Sequence, residues 1–259
     1  MKEDLDILYK QVDGVDLYLD LFMPDDAENP PLILWIHGGA WMYGDRKSPG
    51  MRWQVERGYA LASIEYRLVE DKPDGSVIFP QNIIDCKDAL VFLKQNASKY
   101  GYDPARVIVA GDSADGHLAS LMGASVGHAE WEREGADCSV QAVVEFYGPS
   151  SFADIKDSPE DIEHVTSYLL GAPVYSAVGR MRAAAANPVT YISGKEPPFL
   201  ILHGDNDPLV PYAQAIYLRN ALEEAGVAVG LHRVFGGDHG FDSASVNRAI
   251  DEFLDYYFK

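Results

Sequence analysis

The feature that most narrows the fold is a set of short apolar runs that do not alternate. They are Leu32–Ile36, Tyr59–Ile64, Val107–Ala110, Ala142–Phe146 and Phe199–Leu202. A strand with one wet face alternates apolar and polar residues, so unbroken runs suit strands covered on both faces of a parallel sheet. One segment does alternate. Val15, Leu17, Leu19, Leu21 and Met23 interleave with Asp16, Tyr18, Asp20 and Phe22, which predicts a strand with one mainly polar face. Between the runs lies helical spacing: Ile83, Cys86, Leu90, Leu93 and Ala97; then Ala215, Leu218, Leu222 and Ala225, stopping at Gly226; then Val246, Ile250, Phe253 and Tyr257. Alternating strands and helices imply an α/β fold with right-handed crossovers and helices on both faces of the sheet.

No repeat, low-complexity tract or Ser/Gly linker interrupts the 259 residues, so a single domain over 1–259 is expected. Gly127–Ser139 and Ser150–Ala186 are less periodic. The second carries Asp154, Asp157, Glu160, Asp161 and Glu163, and reads as a small insertion of loops and short helices with a solvated face. The net charge of −19 argues against nucleic acid or an anionic membrane as a partner. No apolar run approaches the ~18–20 residues of a membrane span. The first residues lack the basic and apolar regions of a signal peptide. Cys86 and Cys138 cannot make a disulfide framework, and Cys86 lies on an apolar helical stripe. A reduced, cytoplasmic setting is the expectation.

Ligands of open α/β sheets bind outside the carboxyl ends of the strands, so the residues after each run carry the functional argument. They are His37-Gly38-Gly39-Ala40-Trp41, Gly111-Asp112-Ser113-Ala114-Asp115-Gly116-His117, His203-Gly204-Asp205-Asn206-Asp207 and, after Leu231–Phe235, Gly236-Gly237-Asp238-His239-Gly240. Together these loops carry a serine, carboxylates and histidines. Ser113 sits at a strand-to-helix turn, where its hydroxyl is exposed and nearby backbone amides are free. A serine hydroxyl needs a base within hydrogen-bond reach. His239 is the candidate, being the histidine in a Gly-rich loop after the final strand. His37 and His203 lie at strand ends, His117 within a helix and His232 within the last strand. The base needs an acceptor on its other nitrogen, supplied by Asp207 or by its competitor Asp205. A tetrahedral intermediate needs backbone N–H donors for its oxyanion. Gly39 and Ala40 are the preferred donors, Gly38 is an alternative, and the amide of Ala114 completes the set. Nothing has metal-ligand spacing, and no Gly-x-Gly-x-x-Gly follows the first buried strand.

These pieces resemble α/β-hydrolase esterases, specifically hormone-sensitive-lipase-like and bacterial feruloyl-esterase-like carboxylesterases. The likeness runs through His37–Trp41, Glu65-Tyr66-Arg67-Leu68, Phe79-Pro80 with Asp85, Tyr100–Pro104, Gly111–Ala114 with Gly116–Ala119, and Pro197–Asp207 with Val210-Pro211. It implies an α/β-hydrolase fold, with a mostly parallel sheet of about eight strands and only a small cap. It also implies the order Ser113, Asp207, His239, with family position favouring Asp207 over Asp205, and no cofactor. The expected activity is hydrolysis of short-acyl carboxylic esters through an acyl-enzyme. An aryl-formamidase or amidase would use the same triad, and a catalytically weak binding relative is the rival from another class. Trp41, Tyr43, Tyr147 and Phe241 adjoin these loops as candidate pocket walls.

One position departs from the family's Gly-x-Ser-x-Gly elbow: Asp115 replaces the last glycine. Flanking positions in the tight turn are usually small. The expectation is therefore a carboxylate crowded toward the site, where it would oppose the oxyanion and hamper turnover; pointing away, it would be only a first-turn helix residue.

Overall fold

The computed structural model describes residues 1–69, 79–155, 159–241 and 243–259, without the side chains of Asp154, Glu160 and Asp161. Eight strands form one sheet: β1 (Lys2–Val12), β2 (Val15–Met23), β3 (Pro31–Ile36), β4 (Ala60–Ile64), β5 (Asp103–Asp112), β6 (Ala142–Phe146), β7 (Phe199–Gly204) and β8 (Val229–Val234). Their spatial order is β1-β2-β4-β3-β5-β6-β7-β8. β1 and β2 pair antiparallel, as do β2 and β4, and every later pair is parallel. Among the described residues six α-helices accompany them: α1 (Gln81–Tyr100), α2 (Ala114–Ala124), α3 (Glu160–Leu170), α4 (Ala177–Ala186), α5 (Ala213–Glu224) and α6 (Ala244–Phe258). Among the described residues no helix is long and apolar enough to cross a membrane.

The non-alternating runs are covered on both faces, as their composition requires. Leu32, Leu34 and Ile36 of β3, with Val107 and Val109 of β5, enter one core with α1, α2 and α5. Ile33 and Trp35, with Ile108 and Ala110, enter a second core closed by α6. The α1 stripe Ile83, Cys86, Leu90, Leu93 and Ala97 is buried as its spacing predicts, and Gly226 follows α5 in the left-handed region. In α6 the buried stripe is Val246, Ile250, Leu254 and Phe258. Phe253 is only partly buried and Tyr257 is exposed. The helix is rotated because Leu254 and Phe258 continue the i, i+4 line from Val246 and Ile250.

Three further differences from the sequence pattern have physical causes. The polar face of β2 is solvated only at its start: Asp16 is exposed, but Asp20 is buried and accepts from Arg46 Nε at 2.9 Å, while Phe22 enters the second core. β1 pairs along the outside of β2 through a two-residue turn, Asp13-Gly14, with both residues at positive φ. Its composition is half charged, as suits an edge strand. The insertion is more helical than expected. Leu169 and Leu170 of α3 and Ala183 and Ala186 of α4 join the first core, and Arg182 Nη1 donates to the carbonyls of Leu170 and Gly171 at 2.8 and 3.0 Å. Asp157 lies outside the described residues.

β6 carries a carboxyl into the core. Glu145 is buried, with Oε1 accepting from Gly148 N and Oε2 unpartnered. Burial pushes its pKa up from 4.5 to about 8, against the opposing bond from Gly148. A folded state that holds this proton more tightly than the unfolded chain loses stability as pH rises from 4.5 through 8. Glu145→Gln should remove that slope, and by pH 8 it should exceed the wild type by on the order of a few kcal/mol. Thermal melts of both proteins across the window check this; parallel pH curves would exclude it.

Candidate active site

β5 ends at Asp112 and α2 begins at Ala114, so Ser113 alone makes the turn. Its φ is 55° and ψ −123°, a strained conformation for a residue with a side chain. The backbone holds it there: Ser113 N donates to the Phe146 carbonyl of the neighbouring β6 at 2.8 Å. The turn is tight because a Cβ on Gly111 would meet the Asp115 carbonyl oxygen at 2.3 Å. Gly111 is thus the position where a side chain has no room.

The three expected side chains converge from separate loops. Ser113 Oγ lies 2.9 Å from His239 Nε2, and His239 Nδ1 lies 2.8 Å from Asp207 Oδ2. A carboxylate only accepts, so Nδ1 carries the imidazole proton and Nε2 is left to accept from the serine hydroxyl. Asp207 follows β7 and is fixed by two amides, Leu209 N and Val210 N, which donate to Oδ1 at 2.8 and 2.9 Å. Burial acts to raise its pKa but is outweighed by bonds from His203, His239 and Val210 N. The carboxyl therefore lies well below the usual range and stays ionised. Asp205 is engaged elsewhere: it pairs with Arg233 Nε at 2.7 Å and accepts from Gly236 N at 2.6 Å.

The loop after β3 is held by its own geometry. Gly39 has φ 137°, and a Cβ there would meet Tyr43 O at 2.1 Å. Ala40 and Trp41 follow at φ 54° and 59°, both left-handed. Met42 N and Tyr43 N donate to Gly39 O at 3.0 and 2.9 Å. Among the described residues no protein acceptor takes the amides of Gly39, Ala40 or Ala114, which leaves them available to a developing oxyanion. Gly38 is excluded as a donor, because its N–H already donates to Asp112 Oδ1 at 2.8 Å.

The remaining expected residues divide. Tyr147 packs edge-on against the His239 ring at 4.8 Å and against Phe241 at 5.1 Å. Its hydroxyl is pushed above its ordinary pKa by burial and by the Asp112 and Asp207 carboxylates. Trp41 is a core residue, buried edge-on against His117 and Phe152 at 5.5 and 5.8 Å. Tyr43 is exposed. Asp115 does not crowd the site. It is fully buried, and its Oδ2 lies 2.9 Å from the Tyr66 hydroxyl. The close approach in the elbow involves Asp115's backbone carbonyl, not its Cβ, so the side chain has a direction free to leave by.

Three contributors escaped the sequence reading as functional residues. Asp112 anchors Gly38. Tyr66 is the partner of Asp115. His203 Nε2 donates to Val210 O at 2.9 Å and lies 3.4 Å from Asp207 Oδ2, backing the acid loop. Position in the elbow was the only signal for the first, and the strand-end placement of His203 signalled a local bond without naming its partner.

A mostly parallel sheet with a Ser–His–Asp relay at its carboxyl edge defines an α/β-hydrolase. The chain belongs to the BD-FAE family, whose model matches residues 19–222. It is 30% identical to the esterase LipQ of Mycobacterium tuberculosis over 93% of this chain and 59% of that protein. The chain spans about half the length of the curated relatives it matches. Among solved structures it resembles a truncated carbohydrate esterase from gut microbiota, with TM-score 0.86, 25% identity and coverage of 100% of this chain and 97% of that one. It also resembles the thermophilic esterase Est2 of Thermogutta terrifontis in its butyrate-bound form, with TM-score 0.77, 27% identity and coverage of 98% and 93%.

The two aspartates of the acid loop can be told apart by mutation. Asp207→Asn should lower kcat on p-nitrophenyl acetate by roughly 10³–10⁴-fold, since the tautomer of His239 is then no longer enforced. Asp205→Asn should change it by less than about threefold, because it weakens a partly exposed pair with Arg233 and keeps an acceptor for Gly236 N. Steady-state rates of the two variants check the assignment, and equal losses would refute it.

Proposed function

We propose that the protein is a serine carboxylesterase acting on short-acyl esters. The observation that carries this is the continuous relay from Ser113 Oγ through His239 to Asp207, at 2.9 and 2.8 Å. Ser113 attacks the ester carbonyl while His239 Nε2 takes its proton. The imidazolium that forms faces an ionised Asp207, which favours it. The tetrahedral oxyanion is received by the amides of Gly39, Ala40 and Ala114, already oriented before the reaction. His239 then protonates the leaving alcohol, and water repeats the cycle on the acyl-enzyme.

The short-acyl preference rests on the insertion. Leu169 and Leu170 of α3 and Ala183 and Ala186 of α4 pack into the core, Val178 and Met181 of α4 are exposed, and Arg182 caps the carbonyls of Leu170 and Gly171. Among the described residues these two helices, of 11 and 10 residues, are too small to form a large apolar lid over a deep lipid pocket. The butyrate-bound Est2 structure supports the same size class, as a property of that relative.

Ser113→Ala should reduce ester hydrolysis by at least roughly 10³-fold, with a residual rate from the oxyanion amides and binding. A fluorophosphonate should label the wild type at Ser113 and fail to label the variant. On p-nitrophenyl esters, kcat/KM should peak between acetyl and butyryl. Near-wild-type turnover by Ser113→Ala would remove the nucleophile assignment, and a rate still climbing beyond octanoyl would remove the size class.

A further inference from the structure

The elbow and the oxyanion loop are joined by a buried hydrogen-bond system built around Asp115, the position that departs from the family pattern. Tyr66, two residues beyond β4, reaches Asp115 Oδ2 at 2.9 Å and the His37 carbonyl at 3.4 Å. Its ring stacks on that of His37, with centroids 4.9 Å apart. A phenol has one proton to donate. If Asp115 were ionised, that proton would go to the carboxylate and the His37 carbonyl would lose its partner. If Asp115 is neutral, its O–H donates to Tyr66 Oη and the phenol proton is free for His37 O. Both contacts are then hydrogen bonds.

Burial supports the second arrangement. Asp115 Oδ1 is buried with no partner. A bare carboxylate oxygen there would be costly, whereas the carbonyl oxygen of a neutral acid is not. Desolvation raises the Asp115 pKa well above the ordinary range and the facing Asp112 carboxylate adds to this, outweighing the Tyr66 bond. The Cys86 thiol, also buried beside Asp115, is itself pushed up by burial and stays neutral.

The His37–Gly38 peptide is held at its other end by the same elbow. Gly38 N donates to Asp112 Oδ1. Val69 N donates to Trp41 O at 2.7 Å, so the Tyr66 segment also grips the loop downstream. We infer that Asp115 is a positioning residue: as a neutral acid it donates to Tyr66, Tyr66 donates to the His37 carbonyl, and together with Asp112 it clamps the peptide that aims the Gly39 and Ala40 amides. The departure from glycine is on this account a brace and not a handicap. Its kinetic consequence rests on the esterase reading; the protonation state does not.

The two parts are tested separately. An infrared difference spectrum, wild type minus Asp115→Asn near neutral pH, should show a carboxylic-acid C=O stretch. A carboxylate stretch in its place overturns the inference whether or not the protein hydrolyses esters. In kinetics on a short p-nitrophenyl ester, Asp115→Leu and Tyr66→Phe should each lower kcat on the order of tenfold, with KM changed less than about twofold. Asp115→Asn, which keeps a donor toward Tyr66, should recover most of that loss. Wild-type kcat in both Asp115→Leu and Tyr66→Phe overturns the positioning role. Should Asp115→Leu fail to fold, Tyr66→Phe and the infrared spectrum still decide. A wild type without ester turnover would remove the esterase reading alone.

Discussion

The contact between Gly111 and the Asp115 carbonyl sets the geometry on which the rest of the site depends. It forces the chain to reverse within one residue, and Ser113 takes the left-handed conformation. Such a residue costs of order 1–3 kcal/mol unless its surroundings over-determine it. Here they do. β5 is flanked by β3 and β6, with Ile36 in register with Gly111 and Asp112 in register with Phe146. Every residue of α2 is buried, so the helix cannot shift to relax the turn. The same registers place the oxyanion loop beside the nucleophile, because both leave adjacent parallel strands at the same level.

Buried carboxyls in this chain differ in charge according to how many donors reach them. Asp207 receives two amides, His239 and the more distant His203, and is held as an anion. Glu145 receives one amide and is pushed toward neutrality. Asp115 faces one hydroxyl and is pushed well above the ordinary carboxyl range by burial. The distinction is functional. On the proposed esterase mechanism an ionised Asp207 stabilises the imidazolium that forms. A second anion at the elbow would have stabilised it at rest and left less free base, which was the ground for expecting a handicap. Burial with so few donors favours the neutral acid that we infer there.

Much of this was legible in the sequence because it is periodic or local. Unbroken apolar runs marked β3 to β7, Gly-rich loops after them marked one edge, and loop order named Ser113, Asp207 and His239. What was not legible depends on contacts between distant segments. No spacing shows that Asp112 takes the Gly38 amide, or that Asp115 turns toward Tyr66. Spacing alone puts the apolar stripe of α6 on Phe253 and Tyr257 as readily as on Leu254 and Phe258, and only packing on the sheet separates the two. β1 was missed because a charged edge strand carries little hydrophobic signal, although its Asp13-Gly14 turn was in plain view.

The segment Glu65-Tyr66-Arg67 shows why a short motif far from the nucleophile belongs to the site. Glu65 pairs with Arg46 and accepts from Tyr18 N of β2 at 3.1 Å. Arg67 grips Asp85 of α1 with Nε at 2.8 Å and Nη2 at 3.0 Å, and reaches Asp13 in the β1–β2 turn at 2.7 Å. Both residues flanking Tyr66 are therefore pinned by ion pairs, one toward the antiparallel edge and one toward α1. Removing one partner of a buried pair typically costs ~3–5 kcal/mol, far more than a surface pair is worth. Asp85 is fully buried and also meets Lys10 of β1. The strand pair at the sheet's edge is thus mechanically continuous with Tyr66, and through Tyr66 with the His37 carbonyl. A chain that acts through the proposed oxyanion amides, fixed before substrate arrives, has reason to keep this charged edge.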